Sequence, residues 1–264
     1  MPTISDVVSF LEDFAPPRLA EDWDNTGLLI GRSSAAVQNI MTCLTLTTDV
    51  AAEAVEKNVQ LVVSHHPVLF RGTKRVADDS QEGRLLLSLI ENGVAVYSPH
   101  TSFDSASDGI NQQLAKSFGL TDIAPIRPLP DDEELGGGRY GSLSLSMPLI
   151  EFLTTVSGLV NAKYLEYTAT SNAEVRRVAV ACGAAAEYLV DAVRLGCDTF
   201  VTGEARFHGA LEARAAGVNL VLLGHYSSER PAVEQLADLL SAEFSNLDVW
   251  SSRVEVDPLT VFLP

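Results

Sequence analysis

The chain has 264 residues, enough for one large domain or two modest ones, and its 46% hydrophobic and 20% charged content is ordinary for a globular protein. Fibrous, collagen-like and low-complexity classes are excluded. Eighteen Lys and Arg against 35 Asp and Glu leave a formal charge of -17, which disfavours bulk nucleic acid and anionic lipid as partners.

No run approaches the roughly 20 apolar residues that a membrane span needs. Met1 to Phe14 lacks the basic start and apolar core of a signal peptide, so a cytoplasmic protein with no membrane partner is expected. Cys43, Cys182 and Cys197 show no metal-like spacing and read as buried thiols.

In chain order, strand-length apolar runs alternate with amphipathic helix-length stretches, the pattern of a layered α/β fold. Strands are predicted at Met41 to Thr47, Leu61 to Ser64, Val94 to Ser98, Val178 to Ala181, Thr199 to Thr202 and Leu220 to Leu223. Helices are predicted at Asp49 to Lys57, at Gly109 to Phe118 with Asp108 as N-cap, and at Ala185 to Leu195 closed by Gly196. Between them Pro125 to Gly141 carries Pro125, Pro128 and Pro130, a solvated acidic run and three consecutive glycines, and reads as a connector. Ser142 to Met147 then alternates like an edge strand, and Leu149 to Leu159 has the spacing of a helix. The expected organisation is a first α/β lobe over 1–124, a connector over 125–141 and a second lobe over 142–264, whose C-terminal end can return to the first.

The halves share a pattern. Ser98-Pro99-His100-Thr101-Ser102-Phe103-Asp104 and Leu223-Gly224-His225-Tyr226-Ser227-Ser228-Glu229 both follow a strand, carry His and an acid four residues apart, and precede a helix. The five histidines, His65, His66, His100, His208 and His225, all follow predicted strands, as do Asp104, Glu204 and Glu229. In α/β sheets ligands gather at the carboxyl ends of parallel strands, so these groups point to one crevice and to a borderline or hard divalent cation.

In His65-His66-Pro67 adjacent side chains of an extended segment face opposite ways, which favours two ions over one. Asp104 is the preferred ligand, with His100 placed behind it or relaying a proton. His225 and Glu229 fit equally a strand-to-helix turn that offers a ligand and a bridging carboxylate, or a helix-start acid beside a structural histidine; Pro231 argues against a helix from His225. Glu204 and His208 read as a helix-start acid and a helical histidine, and Asp49 as a cap.

Trp23-Asp24-Asn25-Thr26-Gly27-Leu28, Ser64-His65-His66-Pro67, His100 with Asp104, Thr202-Gly203-Glu204, and Gly224-His225 with Glu229 occur in an order that resembles the Nif-three-like dinuclear-metal-centre family, whose members are called type 2 homologues of GTP cyclohydrolase I. Ser64 and Ser228 stand where relatives often carry Thr, which keeps the hydroxyl. The resemblance implies two α/β lobes with a dimetal site in the cleft between them and a homohexameric ring; some members carry an inserted domain between the halves, and the short Pro125 to Gly141 connector indicates its absence. The resemblance implies His65, His66, Asp104, His225 and Glu229 as metal ligands, with Glu229 bridging.

Two such ions, whether zinc, iron, manganese, cobalt or nickel, would activate a bridging water, so the expected function is hydrolysis of a small phosphorylated, nucleotide-like or cyclic-amide substrate. His100 and Glu204 are expected in proton transfer. No Gly-rich phosphate loop or purine-reading motif points to GTP. A non-catalytic metal-binding scaffold or regulatory protein is the alternative.

Overall fold

In the computed structural model, which describes residues 1–169 and 174–262, Thr3 and Asp6 form a capping box that starts α1 (Ile4–Phe14) and turns Ile4, Val7 and Leu11 inward. There follow β1 (Gly27–Ile30), β2 (Asn39–Cys43), α2 (Thr48–Glu56), β3 (Leu61–Ser64), α3 (Gln81–Glu91), β4 (Ala95–Ser98) and α4 (His100–Ser105). Thr47 and Ser80 each accept a backbone N–H of the helix they precede, at Val50 and Gly83, so hydroxyl caps set both helix starts. Next come α5 (Ile110–Ser117), β5 (Leu120–Ala124), β6 (Arg127–Leu129), β7 (Asp132–Gly137), β8 (Arg139–Pro148), α6 (Leu149–Leu159), β9 (Glu166–Thr168) and β10 (Glu174–Ala181). The chain continues through α7 (Leu189–Arg194), β11 (Thr199–Thr202), α8 (Phe207–Ala216), β12 (Asn219–Leu222), α9 (His225–Glu243) and β13 (Asp248–Ser251).

Two α/β units result. Among the described residues the first holds Met1–Phe103 and Ala232–Val256, the second Asp104–Pro231 and residues 257–262. The sheet of the first unit has the order β1-β4-β3-β2-β13. Its β4, β3, β2 and β13 run parallel, and β1 is an antiparallel edge. Met41, Cys43, Val62 and Val96 pack one face against Val50, Ala51 and Ala54 of α2 and Leu85, Leu86 and Leu89 of α3. The alternate residues Ile40, Leu61, Val63 and Ala95 are also buried, as strands covered on both faces require. In the second unit the order is β5-β8-β10-β11-β12-β9, with β10, β11 and β12 parallel. Ala179, Ala181, Phe200 and Leu220 pack there on Leu189, Ala192 and Ala213. In both units the carboxyl ends of the parallel strands carry the polar groups singled out in the sequence.

Several expectations need correction. Residues 125–141 are not a connector: they form the β6–β7 hairpin and the start of β8, inside the second unit. The glycines there serve close packing, since a Cβ on Gly136 would collide with the Arg127 carbonyl, and Gly136 and Gly138 have φ of 144° and 62°. The division falls instead at Phe103/Asp104, Pro231/Ala232 and Val256/Asp257, because β13 pairs with β2 and draws Ala232–Val256 into the first unit. Ser142 to Met147 is not an edge, since β8 pairs with β5 on one side and β10 on the other. Gly109, not Asp108, is the N-cap of α5, and the helix expected at Ala185 to Leu195 is a 3-10 turn at Ala186–Tyr188 followed by α7.

Helix α9 begins at His225 despite Pro231. Gly224, at φ 84°, turns the chain out of β12, and the Ser228 N–H donates to the Gly224 carbonyl to close the first turn. Pro231 comes late enough to cost only one backbone bond. No helix among the described residues is long and apolar enough to cross a membrane.

Candidate metal centre

In the first unit β3 ends at Ser64, so His65 and His66 lie beyond the pleat rather than in it. Their backbone N–H groups donate to Cys43 and Leu44, the Ser98 hydroxyl donates to the His65 carbonyl at 2.7 Å, and the Ser64 hydroxyl donates to the His66 carbonyl at 2.8 Å. Held this way, the two rings converge with centroids 5.1 Å apart. The opposed orientation expected from strand alternation does not occur, so ion number does not follow from it.

The third ring comes from His100, 5.3 Å from His65 and 5.7 Å from His66. One ligand atom from each of the three lies within 4.8 Å of the others. His100 has a φ of 34°, in the left-handed region that a side chain of its size occupies at a cost. Its Nδ1 lies 2.7 Å from Asp24 Oδ1, and Asp24 Oδ2 accepts the Thr101 N–H at 3.1 Å and the Thr101 hydroxyl at 2.5 Å. Burial pushes the Asp24 carboxyl up, but the bonds from His100 and Thr101, the charge of His100 and the Asn25 N–H outweigh it and hold it at about 2. His66 Nδ1 shares a 2.7 Å hydrogen bond with the Thr45 hydroxyl. An imidazole engaged at Nδ1 is fixed in ring direction and turns Nε2 to its other side, where a cation would be met.

In the second unit His225 stands at the first residue of α9 and Glu229 one turn later. Their Nε2 and Oε2 are 3.1 Å apart, and His225 Nδ1 lies 2.7 Å from Glu204 Oε1. The bond to Glu229 raises the His225 pKa; burial opposes it, Glu204 adds to it, and the result is about 9. Glu229 is 3% exposed, and Gly183, just past β10, leaves it room: a Cβ there would collide with Glu229 Oε1 and come within 3.5 Å of His225 Nε2. The Cys182 thiol donates to Asp104 Oδ1 at 3.3 Å. Burial pushes that thiol up, with the charges of Asp104 and Glu229 adding to the shift.

Of the predicted ligands, His65 and His66 thus come together with His100 in the first unit, and His225 with Glu229 and Glu204 in the second, where Asp104 meets Cys182. His208, exposed on α8 against Phe207, joins neither set. Asp24, Thr45 and Gly183 are functional candidates that sequence reasoning assigned no role. Thr45 follows β2 at the same sheet edge as His65, a signal that was available; Asp24 and Gly183 are defined by distant partners. Imidazoles anchored at one nitrogen, and a carboxylate in a cradle that a Cβ would fill, fit a borderline divalent cation.

The family model for Duf34/NIF3 (NGG1p interacting factor 3) matches residues 2–258. The GTP cyclohydrolase 1 type 2 homolog of Clostridium perfringens is 30% identical over 256 residues, covering 97% of this chain and 98% of that protein. Protein NIF3 homolog of Schizosaccharomyces pombe is 31% identical over 268 residues, covering 95% of each. The crystal structure of Staphylococcus aureus protein SA1388 matches with a TM-score of 0.90 and 28% identity, covering 99% of each chain. With the family model spanning nearly the whole length, the chain belongs to the Duf34/NIF3 family.

Proposed function

We propose that this chain is a metal-dependent hydrolase of a small phosphorylated, nucleotide-like or cyclic-amide substrate, with His65, His66, Asp104, His225 and Glu229 supplying the ligands of two divalent ions. The observation that carries the reading is the set of three histidines fixed at Nδ1, His66 by Thr45, His100 by Asp24 and His225 by Glu204. A histidine that serves only to fill space needs no such orientation. Bound divalent ions supply Lewis acidity, which acidifies water and draws electron density from a substrate oxygen.

The rest is done by the chain. Asp24 accepts the His100 Nδ1–H and leaves Nε2 to take or return a proton, and the His100 backbone strain keeps that ring directed. Glu204 holds the His225 Nδ1–H and, being exposed, exchanges protons with solvent. Cys182 donates to one oxygen of Asp104 and so orients the other.

The test is elemental analysis of untagged protein purified without added metal, followed by a screen of the loaded protein against phosphoesters, nucleotides and cyclic amides. The name of the clostridial relative places GTP in that screen. Product formation abolished by Glu229→Gln supports the enzyme; a loaded protein inert across the screen leaves the scaffold or regulatory reading. The homohexamer belongs to the same proposal, and a sedimentation mass near one protomer at micromolar concentration would remove it.

A further inference from the structure

Two large aromatic side chains stand in the open beside His100. Trp23 is 61% and Phe70 49% exposed. Their centroids are 5.9 Å apart with planes inclined at 76°, and each lies 6.1 Å from the His100 ring. The arrangement is built from both sides. Asp24, next to Trp23, is locked by His100 and Thr101, and the Asn25 side chain donates to the Leu69 carbonyl at 2.7 Å, tying the segment that carries Trp23 to the one that carries Phe70. Two near-perpendicular rings make a corner in which a planar ring can stack on one and meet the other edge-on.

A short basic run follows Phe70 in the sequence. Of 18 Lys and Arg in a chain of net charge -17, Arg71, Lys74 and Arg75 fall within five residues directly after Phe70, with Arg75 held 3.3 Å from Asp79 in an exposed pair that an incoming anion has to displace. Lys74 and Arg75 line, with Leu29, Ile30, Leu69 and Val76, a cavity of about 520 Å³, within the range of small-molecule sites. A surface that repels anions elsewhere needs cations at the point of capture.

We propose that Trp23 and Phe70 hold a planar unsaturated ring of the substrate and that the Arg71–Arg75 segment takes its anionic group. The substrate class of the hydrolase reading, on which this rests, narrows to anions that carry a flat ring. Loss of one ring stacked on an aromatic side chain lowers affinity by about tenfold.

Binding is measured on the chelator-treated full chain, so the result does not depend on metal or turnover. The probes are GMP and AMP, ribose 5-phosphate, which lacks the ring, and guanosine, which lacks the anion. Calorimetry gives affinities, and in a Trp250→Phe variant Trp23 is the remaining tryptophan and reports stacking by quenching.

Both nucleotides are expected to quench Trp23 and to bind about tenfold or more tightly than either fragment. Trp23→Ala and Phe70→Ala should each weaken GMP about tenfold, with Trp23→Phe restoring most of it. Lys74→Ala with Arg75→Ala should weaken GMP while leaving guanosine unchanged. Ribose 5-phosphate binding as tightly as GMP, no saturable binding of either nucleotide, or Trp23→Ala altering sedimentation mass but not GMP affinity would each overturn the proposal, the last by making the corner a contact between copies. Failure of the hydrolase screen with nucleotide binding intact would instead strike the reading on which it rests.

Discussion

Replacing Asp24 by Asn removes one charge and almost no volume, and its effect can be worked out from three hydrogen bonds. The carboxylate, with its side chain fully buried, accepts from His100 Nδ1, the Thr101 N–H and the Thr101 hydroxyl. An amide has one acceptor and one donor end. With its oxygen toward His100, its NH2 group confronts the Thr101 N–H. With its oxygen toward Thr101, two of the three bonds survive and the NH2 group meets His100 Nδ1. The second arrangement wins by that count and forces Nδ1 to become an acceptor, so the proton moves to Nε2, the nitrogen through which the ring would meet a cation or take a proton.

The expected consequence is a loss of about 10–100-fold in metal affinity where His100 ligates. Where His100 only moves a proton, turnover falls and metal content holds. Loss of the charge-assisted bond should also cost about 1.5–3 kcal/mol of stability at neutral pH. Because the folded carboxyl titrates at about 2, below its unfolded value of 3.8, that contribution is present above about pH 4 and vanishes as pH falls through 2. The stability gap between wild type and variant should therefore close over that interval. Chelator competition read by elemental analysis measures the affinity, and urea unfolding at several pH values measures the gap. Wild-type metal affinity together with wild-type turnover in Asp24→Asn would refute the reasoning.

Four further outcomes follow from the geometry. His225, held at about 9 chiefly by Glu229, is protonated at neutral pH without metal. Its contribution to stability is complete below about 6.5 and lost as pH rises through 9, and apparent metal affinity should climb over the same range because a proton must leave; Glu229→Gln should flatten the climb in a metal titration. Gly183→Ala, at φ 64° and against Glu229 Oε1, should lower both metal content and Tm, and an unaltered metal content would contradict the cradle. Thr45→Val removes the partner of His66 Nδ1 and should weaken metal binding about tenfold with little change in Tm. Arg139 is 1% exposed and donates to the carbonyls of Gly136, Gly138, Ser105 and Ala106 and to Gln112 Oε1, so Arg139→Met, which leaves buried acceptors without a donor, should destabilise by about 1–3 kcal/mol or more; a loss under about 1 kcal/mol in urea unfolding would show those carbonyls to be satisfied otherwise.

How far the sequence carries depends on the range of the interaction that decides each feature. Leu61–Ser64, Thr199–Thr202 and Leu149–Leu159 end where expected, because an apolar run and its polar boundary are local facts. The β6–β7 hairpin reads as a loop for the opposite reason: Gly136 is needed because Arg127 approaches it from nine residues away, and composition registers the glycine without the neighbour. The pairing of β13 with β2 joins residues more than 200 positions apart and leaves no pattern in either strand.

The site divides in the same way. The histidines are legible because each follows a strand, and parallel strands bring their carboxyl ends to one edge. What orients them is not. Asp24 is 76 residues from His100 and Glu204 is 21 from His225; Glu204 stands out as an acid after a strand and Asp24 only within its motif, and neither segment states which imidazole the acid holds. The same limit explains the misjudged His65-His66 pair, since alternation is a property of paired backbone and β3 stops at Ser64. From there the ring directions are set by serines on β3 and β4 that bond the two carbonyls. Those serines therefore do in this chain what the pleat does within a strand, and Ser98→Ala should disturb His65 before it disturbs the sheet. Chelator competition showing weakened metal binding, with urea stability changed by less than about 1 kcal/mol, is the expected pair of results; loss of stability with metal affinity intact would assign Ser98 to the sheet alone.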